Sequence, residues 1–167
     1  LRPFRLANLH RKAQGLPPRF RLGYAGPAAT VSTSVGLGLV GLAPLPARLR
    51  GRTWVVLVGQ PTAQLAQVTP AISAIAAWLR RRVGPGLAAP ESPHRLLAIC
   101  SGALLAARGG LLADRRCTTH HELLAALKTL APGAAVIDNR VFVVDGPVAT
   151  SAGITAGIDL ALHLIAE

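Results

Sequence analysis

Aromatic residues, cysteine and methionine are scarce in this chain, and each shortage excludes a class of protein. Phe, Trp and Tyr make up 4% of its 167 residues, there are two Cys, and there is no Met. So few aromatic rings argue against a platform on which single-stranded nucleic acid would stack. Two cysteines cannot form a disulfide framework, which predicts a protein of the reducing cytoplasm. No apolar run is long enough to span a membrane, so we expect no membrane partner.

Acidic residues are missing from the first half of the chain. Lys and Arg number 18 against 7 Asp and Glu, the formal net charge is +11, and the first acidic residue is Glu91. The cations of that half include Arg48, Arg50, Arg52 and the run Arg80-Arg81-Arg82. This excess predicts either a surface for nucleic acid or another polyanion, or ordinary solvated charges.

What remains is the composition of a globular protein. Hydrophobic residues make up 51% of the chain and charged residues 15%. The length suits one domain with a sizeable core, so we expect residues 1–167 to form a single domain. Because the chain starts with Leu1 and contains no Met, we expect it to be part of a longer product.

Apolar periodicity alternates between strands and helices along the chain. Continuous or alternating apolar runs predict strands at 19–25, 53–59 and 95–100, and shorter ones within 26–50, 117–119 and 134–150. Helical spacing predicts helices over 1–14, 70–82, 101–108, 120–131 and 153–166. We expect Gly84-Pro85-Gly86 to end the second helix, and the last helix, apolar almost all round, to be buried. This alternation predicts an α/β fold with a mainly parallel sheet.

One of the two cysteines stands where a strand is predicted to turn into a helix. The stretch "HRLLAICSGALLAARGG", residues 94–110, carries the apolar run Leu96–Ile99, then Cys100-Ser101-Gly102, then an Ala/Leu-rich helix former. A cysteine on such a turn is held out of the sheet, and the helix N-terminus behind it favours a thiolate. The pattern fits a nucleophile, a sensor or a small core residue, and all three interpretations stay open at this point.

A cysteine nucleophile also needs a base or an orienting partner, and the chain offers five histidines. His120 and His121 follow the predicted strand 117–119, so we expect them near the end of the sheet that carries the cysteine. His120-His121-Glu122 does not have the His-Glu-x-x-His spacing of a zinc site, and we expect no metal and no cofactor. Of the other three histidines, we expect His10 and His94 at the surface and His163 in the core.

Two longer stretches resemble a known family. "AICSGALLAARGGLLADRRCTTHH" and "VVDGPVATSAGITAGIDLALHLIAE" are similar to the amino-terminal domain of GlxA-type transcriptional regulators of the AraC family, within the ThiJ/PfpI superfamily. The motifs that carry the resemblance stand at 100–103, 110–112, 115–120 and 150–159, and the match is specific over 95–166 and weaker over 1–94. The resemblance implies a flavodoxin-like, class I glutamine-amidotransferase-type fold, which is a three-layer α/β sandwich.

The chain departs from the enzymes of this superfamily at three places. Those enzymes hold an acidic residue near their first strand and helix against the cysteine, but nothing before Glu91 is acidic here, and we expect that first strand to lie outside this chain. The glycine turn of the oxyanion hole reads Val58-Gly59-Gln60, with one clear glycine. His121 stands where the family often has Trp. Together the departures weaken the case for catalysis.

The resemblance therefore implies the ligand-sensing domain of a transcriptional regulator and not an enzyme. A small metabolite would bind at the strand ends, in a pocket lined by Gly59, Cys100, Ser101 and His120. The family also implies a homodimer, and a helix-turn-helix DNA-binding domain beginning where this chain stops, at Glu167. Two alternatives stay open: a stand-alone hydratase or amidase-like hydrolase acting through Cys100, and a redox sensor in which Cys100 is oxidised.

Overall fold

The computed structural model describes residues 2–33, 35–59, 68–89 and 91–167, in which strands and helices alternate. The strands are β1 (Ala25–Gly26), β2 (Thr30–Ser32), β3 (Gly38–Val40), β4 (Ala43–Pro44), β5 (Trp54–Leu57), β6 (Arg95–Ile99), β7 (Arg116–Cys117), β8 (Ala135–Val136), β9 (Phe142–Asp145) and β10 (Val148–Ser151). The helices are α1 (Arg2–Ala13), α2 (Pro70–Trp78), α3 (Gly84–Ala88), α4 (Gly102–Arg108), α5 (Leu124–Leu130) and α6 (Ile154–Ala166). A π-helical turn, Leu79–Val83, joins α2 to α3, and a 3₁₀ turn, His121–Leu123, precedes α5.

Four strands form the central sheet, in the order β5-β6-β10-β9. β5, β6 and β10 run parallel, and β9 pairs antiparallel with β10. The β9–β10 hairpin turns at Gly146, whose φ of +58° lies in the left-handed region that glycine adopts without strain. The predicted, mainly parallel sheet is confirmed.

Each face of the sheet has its own core, because successive side chains of a strand point to opposite faces. On one face Leu57 and Leu96 pack against α2, α4 and α5. On the other face Leu97 packs against Phe4 of α1 and Leu160 of α6. Helices therefore cover both faces, and the expected three-layer α/β sandwich is confirmed.

Most of the strongly periodic elements are found close to their predicted bounds. The helix predicted over 1–14 is α1, and Gly15 ends it with a φ of +73°. The strand predicted over 53–59 is β5, and the strand predicted over 95–100 is β6. The short strands expected within 26–50 are β1 to β4.

The strand predicted over 19–25 is wrong, because a side chain takes the place of a neighbouring strand. The Asn8 side-chain oxygen accepts from the N–H groups of Arg19, at 2.9 Å, and Phe20, at 3.0 Å. The Asn8 side-chain nitrogen donates to the Phe20 carbonyl at 2.6 Å. The Phe20 ring packs against Phe4, with centroids 5.1 Å apart, and against Trp54, at 5.6 Å. The start of the segment is thus fixed on α1 as irregular chain, with the N–H groups of Arg19 and Phe20 and the Phe20 carbonyl already satisfied, and only its last residue, Ala25, enters a strand.

The prediction that Gly84-Pro85-Gly86 ends the second helix is also wrong. The π-helical turn carries the chain past this point, and the Gly84 N–H donates to the Leu79 carbonyl, five residues back. Pro85 then falls in the first turn of α3, where its missing N–H is not needed. Helical structure therefore continues to Ala88.

The last helix is less buried than its composition predicts. Leu160 and Leu164 of α6 are fully buried, but Ile154, Ile158 and Leu162 are exposed, by 80%, 46% and 53%. These three residues follow a spacing of four and form one apolar stripe on the outer face of the helix. No helix in the described residues is long and apolar enough to cross a membrane.

Candidate functional site

The candidate site lies at the carboxyl end of β6, where the chain turns into α4. Cys100 stands on this turn with a φ of +54°, a left-handed conformation that residues other than glycine seldom adopt. Its N–H donates to the Ser151 carbonyl at 3.0 Å. Its carbonyl accepts from the Thr119 hydroxyl at 2.9 Å and from the Ala103 N–H at 3.2 Å. These bonds hold the strained residue in one conformation.

Two glycines let the chain crowd against this turn. A Cβ atom on Gly102 would lie 2.6 Å from the Leu57 carbonyl oxygen, so the start of α4 touches the backbone of β5. A Cβ atom on Gly59 would lie 2.9 Å from the Ser101 hydroxyl oxygen and 3.3 Å from the Cys100 Cβ. The glycines therefore set how closely β5, Cys100 and Ser101 approach one another.

A cleft of about 640 Å³ opens beside Cys100, between α1, the ends of β5 and β6, and α6. This volume is that of a site for a small organic molecule. Most of its wall is aliphatic, and the Cys100 thiol, the Ser101 hydroxyl and Arg2 at the rim supply polar groups. The lining consists of Arg2, Pro3, Phe4, Val56, Val58, Gly59, Leu97, Ile99, Cys100, Ser101, Ile154, Gly157, Ile158 and Ala161.

Within the described residues, no imidazole and no carboxylate belongs to the lining of this cleft. Imidazoles and carboxylates are the commonest general bases for a thiol. Half-buried Cys100 instead shares the lining with aliphatic side chains, such as those of Val58 and Ile154. The arrangement can enclose an apolar ligand, but it shows no group placed to take a proton from the cysteine.

His120 lines a second, polar cleft of about 510 Å³. Its ring lies against the ring of His121, with centroids 4.3 Å apart, and Asp138, Arg140 and Asp159 belong to the same lining. Among the described residues, no group of three His, Cys, Asp or Glu side chains could hold a metal ion.

The second cysteine is a core residue. Cys117 is fully buried in the helical core that contains α4 and α5. Burial, and then the Asp145 carboxylate, raise the pKa of its thiol to about 11. A neutral, enclosed thiol is a poor nucleophile, so any cysteine chemistry of this chain belongs to Cys100.

The turn at Cys100, Gly102 and the final helix all fall in the part of the chain that matches a known family. Residues 89–167 match the model of the DJ-1/PfpI family. The likeness to a DJ-1/PfpI domain thus lies in these residues. A solved structure extends the likeness in fold to the rest of the chain. A ThiJ/PfpI family protein from Pseudomonas syringae, 23% identical, superposes with a TM-score of 0.68 over 98% of this chain and 62% of that chain.

Curated relatives of this chain include both a regulator and an enzyme. The HTH-type transcriptional regulator CdhR of Pseudomonas aeruginosa is 40% identical over 103 residues, which are 62% of this chain and 27% of that protein. The isonitrile hydratase of Pseudomonas putida is 45% identical over 73 residues, 42% of this chain and 29% of that protein. The chain thus spans less than a third of the length of either relative.

The fold brings together three of the four residues predicted to line one pocket. Gly59, Cys100 and Ser101 share the aliphatic cleft, whereas His120 lines the polar cleft beside it. Gln60, predicted in the glycine turn, lies outside the described residues. Sequence reasoning missed Thr119, whose hydroxyl fixes the Cys100 carbonyl; a hydroxyl residue directly after a short strand was the available signal.

Proposed function

We propose that this chain is one ligand-sensing domain of a transcriptional regulator, and that its effector binds in the aliphatic cleft beside Cys100. The observation that carries the proposal is the lining of the cleft, which is mostly aliphatic and, among the described residues, contains no imidazole or carboxylate. Such a site binds without reacting. The CdhR relative, itself an HTH-type regulator, supports the assignment to regulation.

The lining also suggests the chemistry of the effector. Aliphatic walls favour a small molecule with an apolar body, and the guanidinium of Arg2 at the rim favours a carboxylate or another anionic group. In the proposed regulator, DNA binding belongs to a separate domain. The effector would change how that domain is presented, by favouring one of two conformations of the protein.

The test fills the cleft with a side chain. Ile154 is 80% exposed and lines the cleft, so Ile154→Trp should close it without disturbing the core. Leu162→Trp is the matched control, because Leu162 is 53% exposed on the same stripe of α6 but does not line the cleft. The probe is anilinonaphthalene sulfonate, which has an apolar body and one anionic group.

We expect the Ile154→Trp variant to lose most of the dye's fluorescence enhancement and the Leu162→Trp variant to keep it. A panel of small carboxylic acids is then screened by thermal melting. An effector at a hundred times its Kd stabilises by about 2.7 kcal/mol, which raises the Tm by roughly 5–10 °C. Equal dye binding by both variants, or a panel without any stabilising compound, would overturn the proposal.

Two observations favour a second candidate, an enzyme acting through Cys100. The left-handed turn presents the cysteine as enzymes of this type present a nucleophile, and one relative is an isonitrile hydratase. The discriminating experiment is the rate of iodoacetamide labelling against pH, with Cys117 as the internal control. For an activated Cys100, the labelling rate rises with pH to a plateau, with a midpoint well below the ordinary thiol pKa, whereas a profile like that of a free peptide cysteine removes this candidate.

The predicted homodimer stays a proposal. The exposed stripe Ile154, Ile158 and Leu162 on α6, with Leu6 and Leu9 of α1, is the apolar surface on which it would form. Sedimentation of the chain, alone and with Leu162→Glu, tests it. A dimer that dissociates with this substitution supports the proposal, and a monomeric chain at micromolar concentration refutes it.

A further inference from the structure

Two arginine-rich segments that are far apart in sequence lie side by side in the fold. The first is the loop 46–53, which precedes β5, and the second is the helical stretch 78–86. At one end of the loop, the Trp78 indole N–H donates to the Pro46 carbonyl at 2.7 Å. At the other end, the Thr53 N–H donates to His94 Nδ1 at 3.4 Å.

His94 in turn ties this second end to the helical stretch. A Cβ atom on Gly86 would lie 2.9 Å from His94 Cδ2, so the ring rests directly on the backbone of α3. The loop is therefore held at both ends of the stretch 78–86 and runs alongside it. Leu49, in the middle of the loop, packs inward against the same core as Ile75 and Trp78.

Six arginines project from the two segments, and all six are exposed. Because Leu49 points inward, its neighbours on either side are left on the outer surface. The group, which we name the arginine ridge, consists of Arg48, Arg50, Arg52, Arg80, Arg81 and Arg82. Neither segment contains a carboxylate, since the first acidic residue of the chain is Glu91. The ridge is thus a local concentration of positive charge beyond the excess of the whole chain.

We propose that the arginine ridge binds the phosphate backbone of duplex DNA. The guanidinium group of an arginine can donate two parallel hydrogen bonds to a phosphate, and arginines are common phosphate contacts in protein–DNA interfaces. The ridge carries no aromatic platform, because the indole N–H of Trp78 is engaged by Pro46 and its ring is partly buried, which disfavours stacking on single-stranded bases. Binding is therefore to the backbone, with no base specificity.

One part of this inference rests on the proposed function: the expectation that the ridge lies near DNA held by a separate domain of the regulator. Glu167, the last residue of the chain, pairs with Arg95 at 2.6 Å, and Arg95 follows the His94 that anchors the loop. In the proposed regulator, a DNA-binding domain that follows α6 would begin near the amino ends of β5 and β6, where the loop is anchored. The ridge would then add nonspecific affinity next to a specific site.

The salt dependence of binding follows from the number of arginines. Six phosphate contacts give a slope of about −5 in a plot of log K against log salt, and three contacts about −3. Between about 50 and 200 mM salt, affinity then falls about a thousandfold for six contacts and about fortyfold for three.

The experiment measures anisotropy of a labelled random duplex of about 20 base pairs, titrated with the whole chain at several salt concentrations. The ridge variant replaces Arg80, Arg81 and Arg82 with Ala. The matched control removes the same charge elsewhere, at three exposed cations on or after α1, with Arg5, Lys12 and Arg21 changed to Ala. Thermal melting of each variant checks that the fold is retained.

We expect the ridge variant to bind the duplex at least tenfold more weakly at the lowest salt, with the reduced slope, and the control to bind like the parent. An equal loss of DNA affinity in both variants would show that the duplex is attracted only by the net charge of the chain, and would overturn the proposal. Tighter binding of a single-stranded RNA of the same length would overturn the choice of duplex DNA. No arginine of the ridge lines the aliphatic cleft. The ridge variant should therefore keep dye binding by the cleft, and the DNA titration can be interpreted even if the test of the cleft fails.

Discussion

Replacing Gly102 with Ala tests whether backbone contact between β5 and α4 holds the Cys100 turn in place. Gly102 is the first residue of α4, and a Cβ atom there would stand 2.6 Å from the Leu57 carbonyl oxygen and 3.1 Å from the carbonyl carbon. Real Cβ atoms do not come this close to a backbone atom. Since both partners belong to the core of the sandwich, either α4 or the end of β5 must move.

The size of the effect is a balance of two terms. Overpacking a rigid contact costs about 1–3 kcal/mol. Ala recovers up to about 1 kcal/mol through helix propensity and the smaller entropy of its unfolded chain, and less at a first helical position. The net expectation is a free energy of unfolding lower by about 2 kcal/mol and a Tm lower by about 4–8 °C.

The Tm of the Gly102→Ala variant and of a control variant is measured by differential scanning calorimetry. Gly23→Ala is the control, because nothing lies within 4 Å of a Cβ atom on Gly23. In that variant the same chemical change should leave the Tm unchanged or raise it slightly. A Gly102→Ala variant that melts at or above the parent temperature would refute the reasoning about this contact.

Three further predictions concern single side chains. Asn8→Ala removes three hydrogen bonds from the backbone of Arg19 and Phe20. Denaturant titration should therefore show a free energy of unfolding lower by about 1–3 kcal/mol. A change below about 0.5 kcal/mol would contradict the role given to Asn8 in residues 19–25. Because the pKa of Cys117 is raised from 9.0 to about 11 in the fold, the unfolded chain loses that proton first, and stability should fall between these pH values by at most about 3 kcal/mol. Cys117→Ala should lose this part of the pH dependence, and a parent curve flat across that range would be inconsistent with the raised pKa. Mild peroxide should oxidise half-buried Cys100 before buried Cys117, as peptide mass spectrometry would show; equal oxidation of both would contradict the assigned difference in access.

The parts of the fold that sequence reasoning found are those whose information is local. The continuous apolar run of β5 and the helical spacing of α1 each identify an element without knowledge of its neighbours. The turn at Cys100 was found for the same reason, because an apolar strand, a cysteine, a glycine and a helix former are adjacent in the chain. The misplaced strand at 19–25 failed where a distant side chain, that of Asn8, took over the hydrogen bonds that a strand would need.

The order of elements and the turn chemistry, including Gly146 in its hairpin, were determined by the sequence alone. Only the tertiary structure decided which side of the sheet each residue faces. Cys100 and His120 were predicted for one pocket, yet the fold separates them into an aliphatic and a polar cleft. Arg48 and Arg82 belong to different elements, yet one hydrogen bond, the His94 ring and one inward-facing leucine bring their segments together. The physical reason is the same in both cases. Backbone conformation is set largely by neighbours in sequence, whereas the surroundings of a side chain are set by packing between elements that can be distant in sequence.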